Sequence, residues 1–274
     1  MVNVMHISVS TRHHTLHGFS LVELAVVLVI ISLIIGSVIS LTSQHMKADK
    51  YDSSSKKLMA IDAALRRYVI SAGELPCPAA RTLNVNDANF GRESEQECAS
   101  ATAPFGTVDV GNSTIRIGSV PVRELNLPDG MMFDAWDRQI TFMMVKSLGM
   151  NDALRTASAI TAPIAHTGSG WGGIRVVNAL GHDVFDRRDP AIAPRHFIAY
   201  ALISHGENRG GARTKQGTPH IGCPTISHDA INCDDSDHMI RDSDLVNDVS
   251  ISNSSYFDDL VLWQPVSIIN PNIH

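Results

Sequence analysis

Residues 18–41 read Gly18-Phe19-Ser20-Leu21-Val22-Glu23 and then, from 24 to 41, LAVVLVIISLIIGSVISL. The second part is a run of eighteen residues without a charged side chain. As an α-helix this run would be about 27 Å long, which matches the hydrocarbon thickness of a bilayer. It is longer than the apolar segment of a secretory signal peptide, which has about 7–15 residues. The run therefore predicts a single membrane-spanning helix.

The helical pattern continues beyond the apolar run. Apolar side chains recur at steps of three and four, as on one face of a helix, at Leu58, Ile61, Leu65, Tyr68 and Ala72. Gly73 is a typical helix stop, and the proline at 76 cannot continue the helix. We expect one helix over 19–72, in which 19–41 is the membrane half and 42–73 is amphipathic. A coiled coil is the alternative, but the stripe is too short to require it.

The remainder, 74–274, is expected to form one globular head. Short runs of β-branched and large apolar residues predict strands, and the most apolar run, 197–204, is expected to be the central strand. The stretches 79–106 and 206–255 are rich in glycine and aspartate and predict long irregular loops. A short helix is expected over 151–161. The predicted strands are Thr114–Ile117, Gln139–Val145, Ile174–Val177, Phe197–Ser204 and Leu260–Trp263.

The residues before the apolar run carry a more specific signal. Residues 1–17 are polar and histidine-rich, with Arg12 as the only charged side chain. Together with Gly18, Phe19 and Glu23, this segment resembles the processing site of type IV prepilins and pseudopilins. The resemblance implies that 1–18 is a leader, that a prepilin peptidase/methyltransferase cuts after Gly18, and that Phe19 becomes an N-methylated terminus. It also implies a single-pass protein of the bacterial inner membrane with a periplasmic head.

The same resemblance predicts an α+β chain with the type IV pilin fold, in which the long helix packs on an antiparallel sheet. It assigns Glu23 to assembly, because a carboxylate at the edge of a membrane helix is costly unless it is paired. Its expected partner is the terminal amine of a neighbouring subunit in the filament. No proline occurs between Phe19 and Leu75, which favours a minor or atypical subunit. Residues 134–138, Asp-Ala-Trp-Asp-Arg, resemble an Asp-x-Trp-Gly segment of pseudopilins, with Asp137 in place of the glycine.

A calcium site is the candidate metal site of the head. Residues 204–211, Ser-His-Gly-Glu-Asn-Arg-Gly-Gly, resemble the glycine-rich calcium loop of major pseudopilins. In that resemblance the aspartate pair near the C-terminus closes the site, so the candidate ligands are Asn208, Asp258 and Asp259. Calcium prefers six to eight oxygen ligands, and these side chains supply oxygens. A solvated acidic loop is the alternative interpretation.

The four cysteines, Cys77, Cys98, Cys223 and Cys233, form no Cys-x-x-Cys pair, so a zinc knuckle is not supported. An even number in an exported chain favours disulfides. Pairing neighbours, Cys77 with Cys98 and Cys223 with Cys233, is the simplest of three possible connectivities. The sequence does not choose among them.

Composition argues against nucleic-acid binding, because the net charge is −6 and no basic run occurs. No His-Glu-x-x-His, Gly-x-Ser-x-Gly or Ser-x-x-Lys arrangement is present, so no catalytic site is predicted. The leading hypothesis is a structural subunit, a minor pilin or pseudopilin of a type IV pilus or type II secretion filament. Its partners would be the prepilin peptidase, other pilin-like subunits and the inner membrane. The alternative is a periplasmic enzyme or binding protein held by a signal anchor.

Overall fold

The computed structural model describes ten stretches of the chain. For residues 36–43, 107–110 and 113–114 it describes only the backbone. The described stretches are 20–94, 107–110, 113–149, 154, 173–184, 198–220, 222–233, 238–247, 249–250 and 252–269. The chain divides into two compact units, Met1–Ala48 and Asp49–His274. Within the described part, no helix combines enough length and hydropathy to cross a bilayer.

Helix α1 runs from Leu21 to Ala72, and its predicted end is confirmed. Gly73 follows in the left-handed conformation, with φ 79°, and its N–H donates to the carbonyl of Val69 at 2.8 Å. Glycine adopts this conformation without the steric cost of a Cβ, so it ends the helix where the chain turns. The first three members of the predicted stripe, Leu58, Ile61 and Leu65, are buried, and Tyr68 packs against the same core.

A five-stranded antiparallel sheet forms the centre of the second unit, so the predicted α+β class is confirmed. The strand order is β1-β2-β3-β5-β7. A second sheet pairs β4 with β6 in parallel. The strands are β1 Thr107–Val110, β2 Ser113–Ser119, β3 Thr141–Val145, β4 Arg175–Val177, β5 Ile198–Ser204, β6 Met239–Arg241 and β7 Leu260–Pro265.

At β3 and β5, both faces of the large sheet are buried. Alternate side chains on a strand point to opposite faces. Phe142 and Leu202 lie in one core with the buried residues of α1, whereas Met143 and Ile203 lie in the other with residues of β4 and β6. This arrangement explains why β5 is apolar throughout instead of alternating, since neither of its faces meets water.

The structure differs from the sequence prediction in four places. The strand predicted to be central, β5, is not the middle strand of the large sheet. The middle strand is β3, and β5 lies next to it. The stretch 206–255, predicted to be irregular, contains β6 and the short helix α2, Ala230–Cys233. Strand β1 was not predicted either, and a further short helix, α3, spans Val266–Ile269. Of the expected helix at 151–161, only residue 154 is described, and it lies in a turn.

Candidate functional site: an acidic cluster at one end of the sheet

The structure describes one of the three N-terminal candidate residues. Gly18 and Phe19 lie outside it, whereas Glu23 lies in the first turn of α1. The backbone N–H of Ser20 donates to Oε2 of Glu23 at 2.8 Å, and the N–H of Val22 faces Oγ of Ser20 at 3.4 Å. Glu23 thus supplies the reciprocal half of a capping box, while the Ser20 hydroxyl faces the second N–H of the helix. Glu23 therefore has a local partner, and its contact with another subunit stays a prediction.

In the second unit, three segments meet at one end of the large sheet. Thr141, which begins β3, is opposite Ile203, and Ser204, which ends β5, is opposite Leu260, which begins β7. In an antiparallel sheet the start of one strand lies beside the end of its neighbour. The residues before β3, after β5 and before β7 are therefore brought together, although they are far apart in the chain.

Three aspartates converge at this end of the sheet. One carboxylate oxygen from each of Asp229, Asp258 and Asp259 lies within 4.8 Å of the others, and all three residues are buried. Burial and the Asp258 charge raise the pKa of Asp229 to about 7. Burial and the charges of the other two aspartates raise the pKa of Asp259 well above its ordinary value. Three buried like charges are unfavourable unless protons or a cation neutralise them.

The neighbours of the cluster satisfy some of its oxygens. Oδ2 of Asp258 accepts the backbone N–H of Asn208 at 2.7 Å and the hydroxyl of Tyr256 at 3.0 Å. Oδ1 of Asp229 accepts the backbone N–H of Asp258 at 3.2 Å, and its Oδ2 accepts the side-chain amide of Asn208. Oδ1 of Asp258 and Oδ2 of Asp259 are buried without a hydrogen-bond partner in the described chain. These two oxygens are available as ligands.

The cluster fits a hard cation. Two oxygens on opposite sides of a calcium ion are separated by about twice the Ca–O distance of about 2.3–2.6 Å. The three carboxylate oxygens lie within 4.8 Å of one another, so one ion can reach all three. The donor set contains only oxygen, and oxygen-only sites favour calcium or magnesium over zinc. A bound ion would also neutralise the buried charges. Asp229, Asp258 and Asp259 are the residues that would hold it.

The structure brings the three predicted calcium residues together and adds one that the sequence analysis does not name. Asn208 contacts the aspartates through N–H groups, while its Oδ1 accepts the N–H of Gly210 at 2.7 Å. Its amide oxygen is thus used within its own loop. Asp229 completes the cluster in its place. The signal that could have found Asp229 is its position inside the short loop between Cys223 and Cys233.

A disulfide and a side-chain clamp hold Asp229 in position. Cys223 and Cys233 are bonded, as the simplest pairing predicts, with their Cα atoms 5.4 Å apart. Asn232 in α2 donates to the carbonyl of Arg241 at 3.0 Å and accepts the N–H of the same residue at 2.7 Å. Helix α2, which follows Asp229 directly, is therefore tied to β6. Of the other pair, Cys77 is disulfide-bonded, and Cys98 lies outside the described residues.

A glycine allows the loop after β5 to pass close to the cluster. Gly206 has φ 53°, and a Cβ on it would lie 2.3 Å from the carbonyl oxygen of Asp258. Any other residue would displace that backbone. The requirement for glycine at 206 is thus set by close approach as well as by backbone conformation.

Asp134 fixes the turn that leads into β3. Its Oδ1 accepts the N–H groups of Trp136 and Arg138, both at 2.9 Å, and its Oδ2 accepts the hydroxyl of Ser204 at 2.8 Å. The side chain is buried, and burial raises its pKa despite these hydrogen bonds. Asp137, which replaces the glycine of the resembling segment, has φ 62°, a conformation that favours glycine. The turn therefore keeps a glycine-type backbone without the glycine.

We expect Asp134→Ala to lower the free energy of unfolding by about 2 kcal/mol, because three donors lose their acceptor in a buried site. Urea denaturation followed by circular dichroism measures the loss. Asp87→Ala is the matched control, since Asp87 accepts the N–H of Asn89 at 2.8 Å in the same kind of turn but is exposed. Equal effects of the two substitutions would contradict the role given to burial.

The comparisons with known proteins give no match. No protein-family model matches the chain, no curated protein matches it, and no solved structure matches it. The interpretation of function therefore rests on the residues and geometry described above.

Proposed function

We propose that this chain is a structural subunit of a filament, a minor pilin or pseudopilin of a type IV pilus or type II secretion system, and is not an enzyme. In this proposal the prepilin peptidase/methyltransferase removes residues 1–18 and methylates Phe19. The helix anchors the precursor in the bacterial inner membrane, with the head in the periplasm. The processed subunit then assembles with other pilin-like subunits.

The observation that carries the proposal is the apolar surface of the first part of α1. Twelve large apolar side chains between Leu21 and Ile35 are each at least 45% exposed. They occupy nearly consecutive positions, so they surround the helix instead of forming one stripe. A helix that is apolar on all sides is stable only in lipid or among other apolar helices. Membrane insertion followed by helix packing in a filament core supplies both environments.

Glu23 would set the register of the subunits. Its carboxylate already accepts the N–H of Ser20, and a carboxylate has room for further donors. Cleavage after Gly18 would create a cationic amine on Phe19. In an apolar filament core, a charge-assisted bond from this amine of one subunit to Glu23 of the next is strongly favoured over two unpaired charges. A wrong register would leave both charges unpaired.

The head would present its loops to partners. The acidic cluster would bind calcium, which would stabilise the loops at this end of the sheet. Calcium held by Asp229, Asp258 and Asp259 would join the segment before α2 to the residues that precede β7. The unpartnered oxygens of Asp258 and Asp259 support this part of the proposal. A cation there would make the end of the sheet more rigid.

The mass of the N-terminal peptide tests the processing step. We expect the protein from its native membrane to begin at N-methylated Phe19, and the same preparation from cells without the prepilin peptidase to begin at Met1. The peptide ending at Lys47 serves as the readout, because its mass distinguishes the two starts and reveals the methyl group. A chain that begins at Met1 in the presence of the peptidase would overturn the proposal and favour the anchored periplasmic protein.

A further inference from the structure

Three basic side chains meet near the end of the large sheet where β3 begins and β5 ends. Arg138 precedes β3, Arg209 follows β5 in the loop that also carries Asn208, and His220 lies farther along the same connection between β5 and α2. Nη2 of Arg138 lies 3.4 Å and Nη1 of Arg209 lies 3.1 Å from the same atom, Nε2 of His220. All three side chains are partly exposed, so solutes reach this group from solvent.

The shared contact defines the protonation of the histidine. A guanidinium has only donors, so Nε2 of His220 must be the acceptor of both hydrogen bonds. The imidazole is then neutral, with its hydrogen on Nδ1. Burial and the charges of Arg138 and Arg209 lower the pKa of His220, which agrees with this assignment. The histidine holds the two guanidinium groups together without neutralising them.

Among the described residues, Arg138 and Arg209 form no ion pair with a carboxylate. Other arginines in the described chain have acidic partners, such as Arg123 with Asp129 at 2.9 Å and Arg66 with Asp62 at 2.9 Å. Within the described residues, no carboxylate oxygen lies within 4 Å of a side-chain nitrogen of Arg138 or Arg209, and their buried Nε atoms have no hydrogen-bond partner.

The aspartates near Arg138 already form hydrogen bonds or ion pairs with other groups. The oxygens of Asp134 accept two backbone N–H groups and the hydroxyl of Ser204. Asp137 forms an ion pair with Lys215 at 2.6 Å. These two aspartates raise the pKa of Arg138, but burial and the charge of Arg209 have the larger effect and lower it. Within the described part of the chain, the two arginines thus lie close together without an ion pair of their own.

We propose that Arg138, Arg209 and His220 form a binding site for an oxyanion, either a carboxylate or a phosphate group. Each guanidinium presents several N–H donors in one plane. Two of them can donate to two oxygens of the same carboxylate or phosphate group. A nucleic acid would need a longer basic surface, whereas the chain has a net charge of −6 and no basic run. The site is independent of leader processing and of filament assembly.

An anion titration of the full chain in a neutral detergent tests the site. The probes are sodium phosphate and sodium acetate, each compared with sodium chloride at equal ionic strength, and the readout is the ring signal of His220 in NMR spectra, assigned with His220→Gln. We expect a saturable shift with phosphate, acetate or both, and none with chloride. The more effective probe identifies the class of anion. Shifts that only follow ionic strength would overturn the proposal.

Substitutions connect the binding to the two arginines. We expect Arg138→Gln and Arg209→Gln each to weaken the effective anion at least about tenfold, because each removes charge-assisted donors. Arg67→Gln, exposed on α1, and Arg123→Gln, already paired with Asp129, are the matched controls and should bind as wild type. If Arg209→Gln does not fold, Arg138→Gln by itself tests the site. Wild-type affinity in a folded Arg138→Gln protein would contradict the site.

Discussion

Calcium is expected to raise the unfolding temperature of this chain by about 10 °C at pH 8, and EGTA is expected to reverse the increase. A ligand at about 1,000 times its dissociation constant stabilises the folded state by about 4 kcal/mol. In a chain of this size each kcal/mol shifts the unfolding temperature by about 2–4 °C. The large effect follows from the three buried carboxylates at 229, 258 and 259, which have no cationic side chain to neutralise them in the described structure.

The calcium effect should increase with pH. Without calcium, the folded cluster binds more protons than the unfolded chain, because the pKa of Asp229 is raised to about 7 and those of Asp258 and Asp259 are also raised. The contribution of these carboxyls to stability is therefore greatest below the unfolded pKa of about 4 and is lost as the pH rises through about 7. Calcium replaces the protons. The difference between calcium and EGTA should be small at pH 5 and large at pH 8.

Substitutions and a second metal make this test specific. Asp259→Asn should abolish most of the calcium effect and should also raise the unfolding temperature in EGTA, since one buried charge is removed. Asp183→Asn is the control, because Asp183 is paired with Arg175 outside the cluster. Magnesium should stabilise less, since it demands near-ideal octahedral geometry and loses water reluctantly. Equal unfolding temperatures of the wild type in calcium and EGTA at pH 8 would rule out the cation site.

Leu65→Ala should lower the free energy of unfolding by about 4 kcal/mol. Leu65 is 0% exposed, and it lies in the same core as Phe142 and Leu202 of the large sheet. Truncating a buried leucine costs about 2–5 kcal/mol, because apolar burial is lost and a cavity remains. Urea denaturation followed by circular dichroism measures the change. The unfolding midpoint should shift while the slope remains the same, since the surface exposed on unfolding is nearly unchanged.

Ile70→Ala is the matched control on the same helix. Ile70 is 77% exposed, so its truncation removes little buried surface, and the change should stay within about 0.5 kcal/mol. A similar loss for both variants would mean that helix propensity, and not packing on the sheet, determines the stability of this part of α1.

The sequence by itself determined the features that depend on neighbouring residues. Gly73 ends α1 because one residue supplies the left-handed backbone, and Leu58, Ile61 and Leu65 are buried because helical spacing places them on one face. The five predicted strands are present because each is a short run of β-branched and large apolar residues. The bond between Cys223 and Cys233 joins cysteines close in the chain, but the sequence left three connectivities open and the structure decided this pairing.

The sequence identified the calcium candidates only in part, for a reason that concerns topology. Asn208, Asp258 and Asp259 meet because β5 and β7 pair, and a resemblance of loops was enough to suggest it. Asp229 belongs to no strand and no motif. It reaches the cluster because α2 is tied to β6, a strand too short to be recognised from three residues.

Only the tertiary structure decided the order of the strands and the groups at the end of the large sheet. β3 is central because β2 and β5 pair on its two sides, which no local pattern reveals. Arg138 and Arg209 share His220 although about 70 residues separate the two arginines in the chain. Secondary structure follows from contacts over a few residues, whereas buried charge depends on which distant segments the sheet brings together. The acidic cluster and the basic group both depend on contacts between distant segments.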